Sequence, residues 1–423
     1  MRGRRLAVWS CLVAILALVV AACGGDEEDS GGGGETSSEG GGGSLTVYSS
    51  LPLQGASRPQ SEDVIKGIKL ALKQKGGKCG DFTIKYESLD DATAAAGKWE
   101  PGATAANARK AAQDENTIAY IGEFNSGASA ISIPITNEAG ILHVSPSNTA
   151  YGLTKSGPGA DEGEPDKYYQ ANPDQRNYGR VVPIDNIQGA AVAQYMKDEG
   201  VTSVYILDDA EVYGKGVAAN TKIAAEELGL EIAGEDSWDG KAANYRALAS
   251  KIKATGADAV FTGGIIDNNG PQLYKDLNAA MPDAKLFGPD GVATVDFTKE
   301  IPEKVQKQTF LTAPTLSPEE LPPAGQQFYK DYEAEYGEPQ DEIDPYAVYG
   351  YESMAIVCDS IAEGGDDRAA VIEAFMNTKG RESPLGTYDI DPEGDTTLSD
   401  YGGYKAEGGK LVFEKVIKAQ AAS

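Results

Sequence analysis

The chain has 423 residues, 41% of them apolar and 24% charged, which is ordinary globular composition and enough material for two or three domains. The formal charge is −28, from 37 basic and 65 acidic residues, which argues against a nucleic-acid partner. Beyond the first 22 residues no apolar run could cross a bilayer, so a multi-span permease is excluded. The single histidine, His143, leaves little material for a His-rich metal site or for His-based catalysis.

At the amino terminus Arg2, Arg4 and Arg5 precede the apolar stretch Leu6 to Ala22, which ends in Val20-Ala21-Ala22-Cys23. Small residues before a cysteine at that place resemble the lipobox of a bacterial lipoprotein signal. The resemblance implies cleavage after residue 22 and a lipid on Cys23. An uncleaved anchor or an ordinary signal peptide is the alternative, although the apolar stretch is short for a spanning helix. Residues 23–44 hold two runs of four glycines and several acids, a composition that predicts a disordered Gly/acidic linker. Such a linker would hold a soluble body near a membrane without fixing its orientation. Of the remaining cysteines, Cys11 lies in the leader, and Cys79 with Cys358 forms an even pair suited to a disulfide in an exported chain. Two buried free thiols are the alternative.

From residue 45 onward, strand and helix patterns alternate. Leu45 to Ser50 reads as a strand. Val64, Ile68, Ala71 and Leu72 then make a helical stripe. Phe82, Ile84 and Tyr86 alternate as in a strand, Ala103 to Gln113 as a helix, and Ile118 to Ile121 and Ile141 to Val144 as short apolar strands. Gly189 to Glu199 is a helix before the strand Val204 to Leu207. The pattern continues with helices Val217 to Leu228 and Tyr245 to Ala254, strand Ala259 to Thr262, helix Pro271 to Ala280 and strand Lys285 to Phe287. Strands separated by helices of this length imply βαβ units and parallel sheets. Two runs of them predict an α/β protein of two Rossmann-like doubly wound lobes. The tail differs: helices Tyr346 to Ala362 and Ala369 to Asn377 precede strands Leu385 to Ile390 and Leu411 to Ile417, a hairpin or meander closing the fold.

Searches for chemistry return nothing: no phosphate loop, no G-x-S-x-G elbow, no H-E-x-x-H and no C-x-x-C, so neither an enzyme nor a cofactor is implied. Asp389 to Asp400 partly matches a calcium loop, but the strand-like residues before it favour an acidic turn. His143 sits in an apolar run and reads as a core residue.

Polar clusters follow four strands, at the carboxyl ends where open α/β sheets bind ligands. Gly122 to Gly127 and Ser145 to Thr149 offer hydroxyls and loop N–H groups suited to a carboxylate. Gly263 to Asn269, with Asp267, and Gly288 to Gly291, with Asp290, offer carboxylates suited to an ammonium. Each cluster alone is also what a plain turn requires.

In order and spacing, Ile121-Gly122 to Ser126, Val144 to Thr149, Arg180-Val-Val-Pro183-Ile-Asp185-Asn-Ile-Gln188-Gly189, Tyr213 to Gly216, Gly288 to Gly291 and Gly386 to Gly394 resemble the type I periplasmic binding proteins of the Leu/Ile/Val-binding kind, which serve ABC importers. The resemblance spans residues 45–423. It implies two lobes joined by three crossovers, placed near Arg180, Thr312 and Pro384. The amino-terminal lobe is then residues 45–180 plus 313–384 and the carboxy-terminal lobe 181–312 plus 385–423, with both Cys79 and Cys358 in the first. It also implies an extracytoplasmic, lipid-anchored receptor that binds a small amino-acid-like ligand between its lobes, closes by hinge motion and delivers the ligand to an ABC permease.

Carried over by position, Ser126 meets the ligand carboxylate, Ser147 and Thr149 belong to the loop that contacts the ligand, Tyr213 lines the second lobe and Asp290 faces the ammonium. Gly127, Asn148 and Asp267, from the same strand-end clusters, complete the candidate ligand-binding set. Two departures stand out: Ile265 and Gln60 occupy places where the family has aromatic residues. They leave room for an amide, urea, an aromatic acid or another short carboxylate as ligand. Arg58 could meet a second anionic group or stay solvated. A surface sensor built on the same fold is the other reading.

Overall fold

The computed structural model of the protein describes residues 42–419. The expected leader and Cys23 lie outside these residues, as does all but the end of the linker.

The chain opens with β1 (Ser44–Leu51), α1 (Arg58–Gln74), β2 (Lys78–Cys79), β3 (Phe82–Asp90), a small ribbon of β4 (Ala92–Thr93) and β5 (Lys98–Trp99), α2 (Pro101–Gln113), β6 (Thr117–Gly122), α3 (Ser126–Glu138), β7 (Leu142–Ser145) and β8 (Tyr178–Arg180). These strands form one sheet in the order β2-β3-β1-β6-β7-β8, parallel except for the β2–β3 edge pair. The central strands β1 and β6 are buried on both faces, as expected of parallel strands covered by helices.

The chain then builds α4 (Asp185–Asp198), β9 (Ser203–Asp208), α5 (Val212–Glu227), β10 (Glu231–Ser237), α6 (Arg246–Thr255), β11 (Ala259–Gly263), α7 (Gly270–Ala280), β12 (Lys285–Gly288), α8 (Val295–Glu300), α9 (Glu303–Gln306) and β13 (Thr309–Ala313). It returns through α10 (Pro323–Tyr336), α11 (Ala347–Gly364), α12 (Arg368–Met376) and the hairpin β14 (Arg381–Ser383) and β15 (Gly386–Tyr388), and ends in β16 (Asp400–Glu407) and β17 (Lys410–Lys418). The second sheet runs β10-β9-β11-β12-β13-β16-β17, with β16 and β17 added antiparallel.

Two lobes result. The main core of the first gathers Leu45 to Val182 together with Leu321 to Ile390; the cores of the second draw on Ala191 to Ala313 and on Tyr401 to Ala419. Tyr388 and Ile390 pack into the first lobe, so the last passage between lobes falls after Ile390 and not at Pro384. The expected tail strand Leu385 to Ile390 is instead split between a short hairpin and a bridge from Ile390 to Thr396.

The returning helix α11 docks on α1 by close backbone approach. A Cβ at Gly67 would stand 2.1 Å from the Ala347 carbonyl, and one at Gly350 2.2 Å from the Val64 carbonyl. Only glycine permits such a crossing. A Cys79–Cys358 disulfide ties the edge strand β2 to α11.

Candidate functional site

The site lies where the strand ends of the two lobes face each other. On the first lobe, α3 begins at Ser126, which is buried, and the Ser126 Oγ accepts the Ala150 N–H at 3.3 Å. The start of a 13-residue helix, with its unsatisfied N–H groups and dipole, suits a carboxylate. Next to Ala150, the Thr149 hydroxyl is fully buried and has no partner.

In the same loop the Ser147 and Asn148 side chains are fully engaged within the protein. Asn148 Nδ2 donates to the Glu123 and Phe124 carbonyls at 3.0 and 2.9 Å, while its Oδ1 accepts from Tyr178 at 3.1 Å and from Ser129. Ser147 Oγ donates to the Phe124 carbonyl at 2.9 Å. Contrary to the expectation from sequence, the Asn148 side chain has nothing left for a ligand, and Ser147 serves the loop. Arg180, wholly buried, braces the same loop through the Asn148 and Ala150 carbonyls and pairs with Asp395 at 2.7 Å. Asp391 and Asp395, taken from the calcium-like stretch, are engaged by Lys155 and Arg180.

On the second lobe, Asp290 follows β12 and is buried. Its Oδ1 accepts the Tyr213 hydroxyl at 2.5 Å and its Oδ2 accepts the Tyr346 hydroxyl from the first lobe. Burial pushes the Asp290 carboxyl above its ordinary range, against the opposing pull of the two hydroxyls. Asp185, the first residue of α4, is fully buried and neither of its carboxylate oxygens has a partner. Burial is the main cause that raises it to about 8, and the nearby Asp290 charge adds to the rise. The Thr149 hydroxyl lies beside Asp185 without completing a hydrogen bond. Both polar ends of Gln188 are buried and unpartnered, next to Asp290.

The two ends meet. A Cβ at Gly127 would lie 2.9 Å from the Trp99 ring and 3.8 Å from Val212, whose neighbour Tyr213 holds Asp290. Further bonds cross between lobes. Lys98 donates to Glu211 and, at 2.8 Å, to Asn268 Oδ1, and Trp99 Nε1 donates to Glu211 at 3.1 Å. Asp267 accepts the Ala56 and Ser57 N–H groups at 2.8 and 3.2 Å, together with the Ser57 hydroxyl. Asp267 therefore holds the first-lobe loop and is not free to face an ammonium.

Asp185, Gln188 and Tyr346, which also gather around Asp290, were not among the candidates read from the sequence. The first two lay in the quoted stretch Arg180 to Gly189; Tyr346 carries no local signal. His143 is a core residue, with Nε2 2.7 Å from the Gly122 carbonyl and burial lowering it to about 3.

A two-lobed α/β molecule with buried polar side chains of both lobes meeting at their strand ends is the architecture of a solute-binding protein. The chain belongs to the periplasmic binding protein family, whose model matches residues 49–410. These proteins are extracytoplasmic substrate-binding components of transporters and not enzymes. An amino acid binding protein of Pseudomonas aeruginosa is 25% identical over 359 residues, covering 83% of this chain and 87% of that protein. The fold is similar to that of a leucine-binding protein, LivK, from Thermotoga maritima, with a TM-score of 0.76 at 22% identity, over 88% of this chain and 99% of that one. It is also similar to a solute-binding protein from R. palustris in complex with benzoate, with a TM-score of 0.71 at 19% identity, over 90% and 98% of the two chains.

Proposed function

We propose that this protein is the lipid-anchored substrate-binding component of an ABC importer and that it captures a free α-amino acid, branched-chain or related, between its lobes. The observation that carries the reading is the set of buried, unpartnered groups at one place: both oxygens of Asp185, the Thr149 hydroxyl and the Gln188 amide, beside Asp290. Burying such groups without partners is costly, so a ligand that satisfies them binds strongly. Asp290 and Asp185 receive an ammonium, and Ser126 with the first N–H groups of α3 receives a carboxylate. Tyr213 and Tyr346 hold Asp290 in place.

The benzoate-bound relative raises an aromatic acid as a second candidate. A ligand without a cation would bring nothing that draws Asp185 and Asp290 into their ionised forms, which favours the amino acid. The lobes hinge at the three passages between their cores, near Val182, near Ala313 and between Ile390 and Asp400. Cys23 carries the lipid, and an ABC permease receives the ligand.

A thermal-shift panel of L-leucine, L-isoleucine, L-valine, L-threonine, L-alanine, benzoate and urea tests this, because a ligand that binds only the folded form raises the melting temperature. A rise with at least one amino acid and none with benzoate is expected. A rise with benzoate alone would overturn the reading.

A further inference from the structure

The ribbon of β4 and β5 leaves the end of β3 at the mouth of the cleft and carries Lys98 and Trp99 across it. Glu211, just before α5 of the opposite lobe, collects three donors: Lys98 Nζ, Trp99 Nε1 at 3.1 Å and Asn268 Nδ2 at 3.0 Å. Asn268 is itself fixed, its Nδ2 also donating to Asp209 at 2.7 Å and its carbonyl accepting the Trp238 indole at 2.8 Å. The receiving carboxylate is thus held from its own lobe, and it fixes the orientation of the Trp99 ring through the indole N–H.

That ring lies against Gly127, at the start of α3. A Cβ at Gly127 would stand 2.9 Å from Trp99 Cζ2 and 3.1 Å from Cη2, so glycine is what lets the indole come down onto the helix end. Ser126, which opens α3, is buried in this arrangement. The indole therefore lies over the amino-terminal end of α3, next to Ser126, where the proposed site receives the ligand carboxylate.

Resting on the amino-acid reading above, we propose that Trp99, clamped by Glu211, is a specificity-determining residue: it admits a free α-carboxylate, rejects esters and longer acyl extensions, and slows ligand release. Lys98 acts as a positioning residue that brings the ribbon to Glu211.

The test compares the intact protein with Trp99→Ala, Trp99→Phe and Lys98→Met. The probes are the panel amino acid giving the largest thermal shift and its methyl ester. Calorimetry gives the two affinities, and stopped-flow mixing separates association from dissociation. The intact protein should prefer the free acid at least 100-fold. Trp99→Ala should cut that preference at least tenfold and speed dissociation at least tenfold, with association nearly unchanged. Trp99→Phe, which keeps a ring but loses the indole N–H, should retain most of the preference and release the ligand several-fold faster. Lys98→Met should resemble Trp99→Phe. Circular dichroism checks that each variant is folded, and the Phe variant keeps the test valid should the Ala variant fail to fold. An unchanged preference and dissociation rate in both Trp99 variants would overturn the inference while leaving the amino-acid reading intact. Failure of the intact protein to bind any panel amino acid would overturn both.

Discussion

Arg180 and Asp185 stand five residues apart at the first passage between lobes, and the structure treats their charges in opposite ways. Arg180 is fully buried and satisfied by Asp395, Thr154 and two loop carbonyls. Asp185 is equally buried and has no partner on either oxygen. A buried charge with a full set of partners belongs to the scaffold; one without them points to a partner from outside the chain. The same contrast separates Asn148, saturated on both ends, from Thr149 beside it, whose hydroxyl has no partner.

The largest effect that would test this contrast is on stability. Arg180→Gln leaves Asp395 buried with its main partner gone, a loss of about 3–5 kcal/mol for a broken buried pair. Urea denaturation without ligand should register it as a lower midpoint; an unchanged midpoint would mean that the pair is dispensable. On the other side of the comparison, Asp290→Asn should leave the fold intact and weaken amino-acid binding tenfold or more, since a charged buried hydrogen bond contributes about 1.5–3 kcal/mol. Calorimetry checks the affinity and thermal melting checks the fold.

A smaller effect follows from pH. Asp185 titrates near 8 in the folded chain because burial disfavours its charge, against an ordinary value of 3.8. The folded state then binds more protons than the unfolded state between those two values, so ligand-free stability should fall as pH rises through that window. Asp344, raised to about 8 mainly by burial, contributes in the same direction. Asp185→Asn should raise the ligand-free melting temperature at pH 8 and reduce its slope between pH 5 and 8, leaving the contributions of other raised acids, among them Asp344, Glu123 (about 7) and Asp209 (about 6), and the opposing one of buried His143. An ammonium ligand favours the ionised carboxylates, so the ligand-induced thermal shift should grow with pH over the same range. A ligand shift that shrinks with rising pH would contradict the role given to Asp185.

Much of the architecture was legible because burial writes itself into sequence. The apolar runs of β6 and β11 and the stripe of α1 read directly as elements. Helix α3 was hidden: Ser126-Gly127-Ala128-Ser129 and the internal Pro134 are poor helix formers, and tertiary packing overrides them. Strand β16 was hidden by Gly402-Gly403, where a Cβ at Gly402 would stand 2.5 Å from the Tyr404 ring. At the candidate site, the order of motifs singled out Ser126 and Asp290, and both are buried where the strand ends of the two lobes face each other. Asn148 was drawn in by the same motifs and Asp267 by the polar cluster after β11, but their hydrogen bonds are made within the protein. The role of Asp185 depends on what does not approach it, and that of Tyr346 on a contact across 56 residues of chain. Neither property is local, so neither has a sequence signature.

The most direct measurement is a calorimetric titration of the intact protein with L-leucine, with the same molecule lacking its amino group and with the same molecule lacking its carboxylate. Should another panel amino acid give the larger thermal shift, it replaces leucine. The two-ended site requires that the zwitterion bind and that each truncated molecule bind at least tenfold more weakly. Equal affinity for the acid without its amino group would contradict the central claim, because Asp185 and Asp290 would then have no cation to hold.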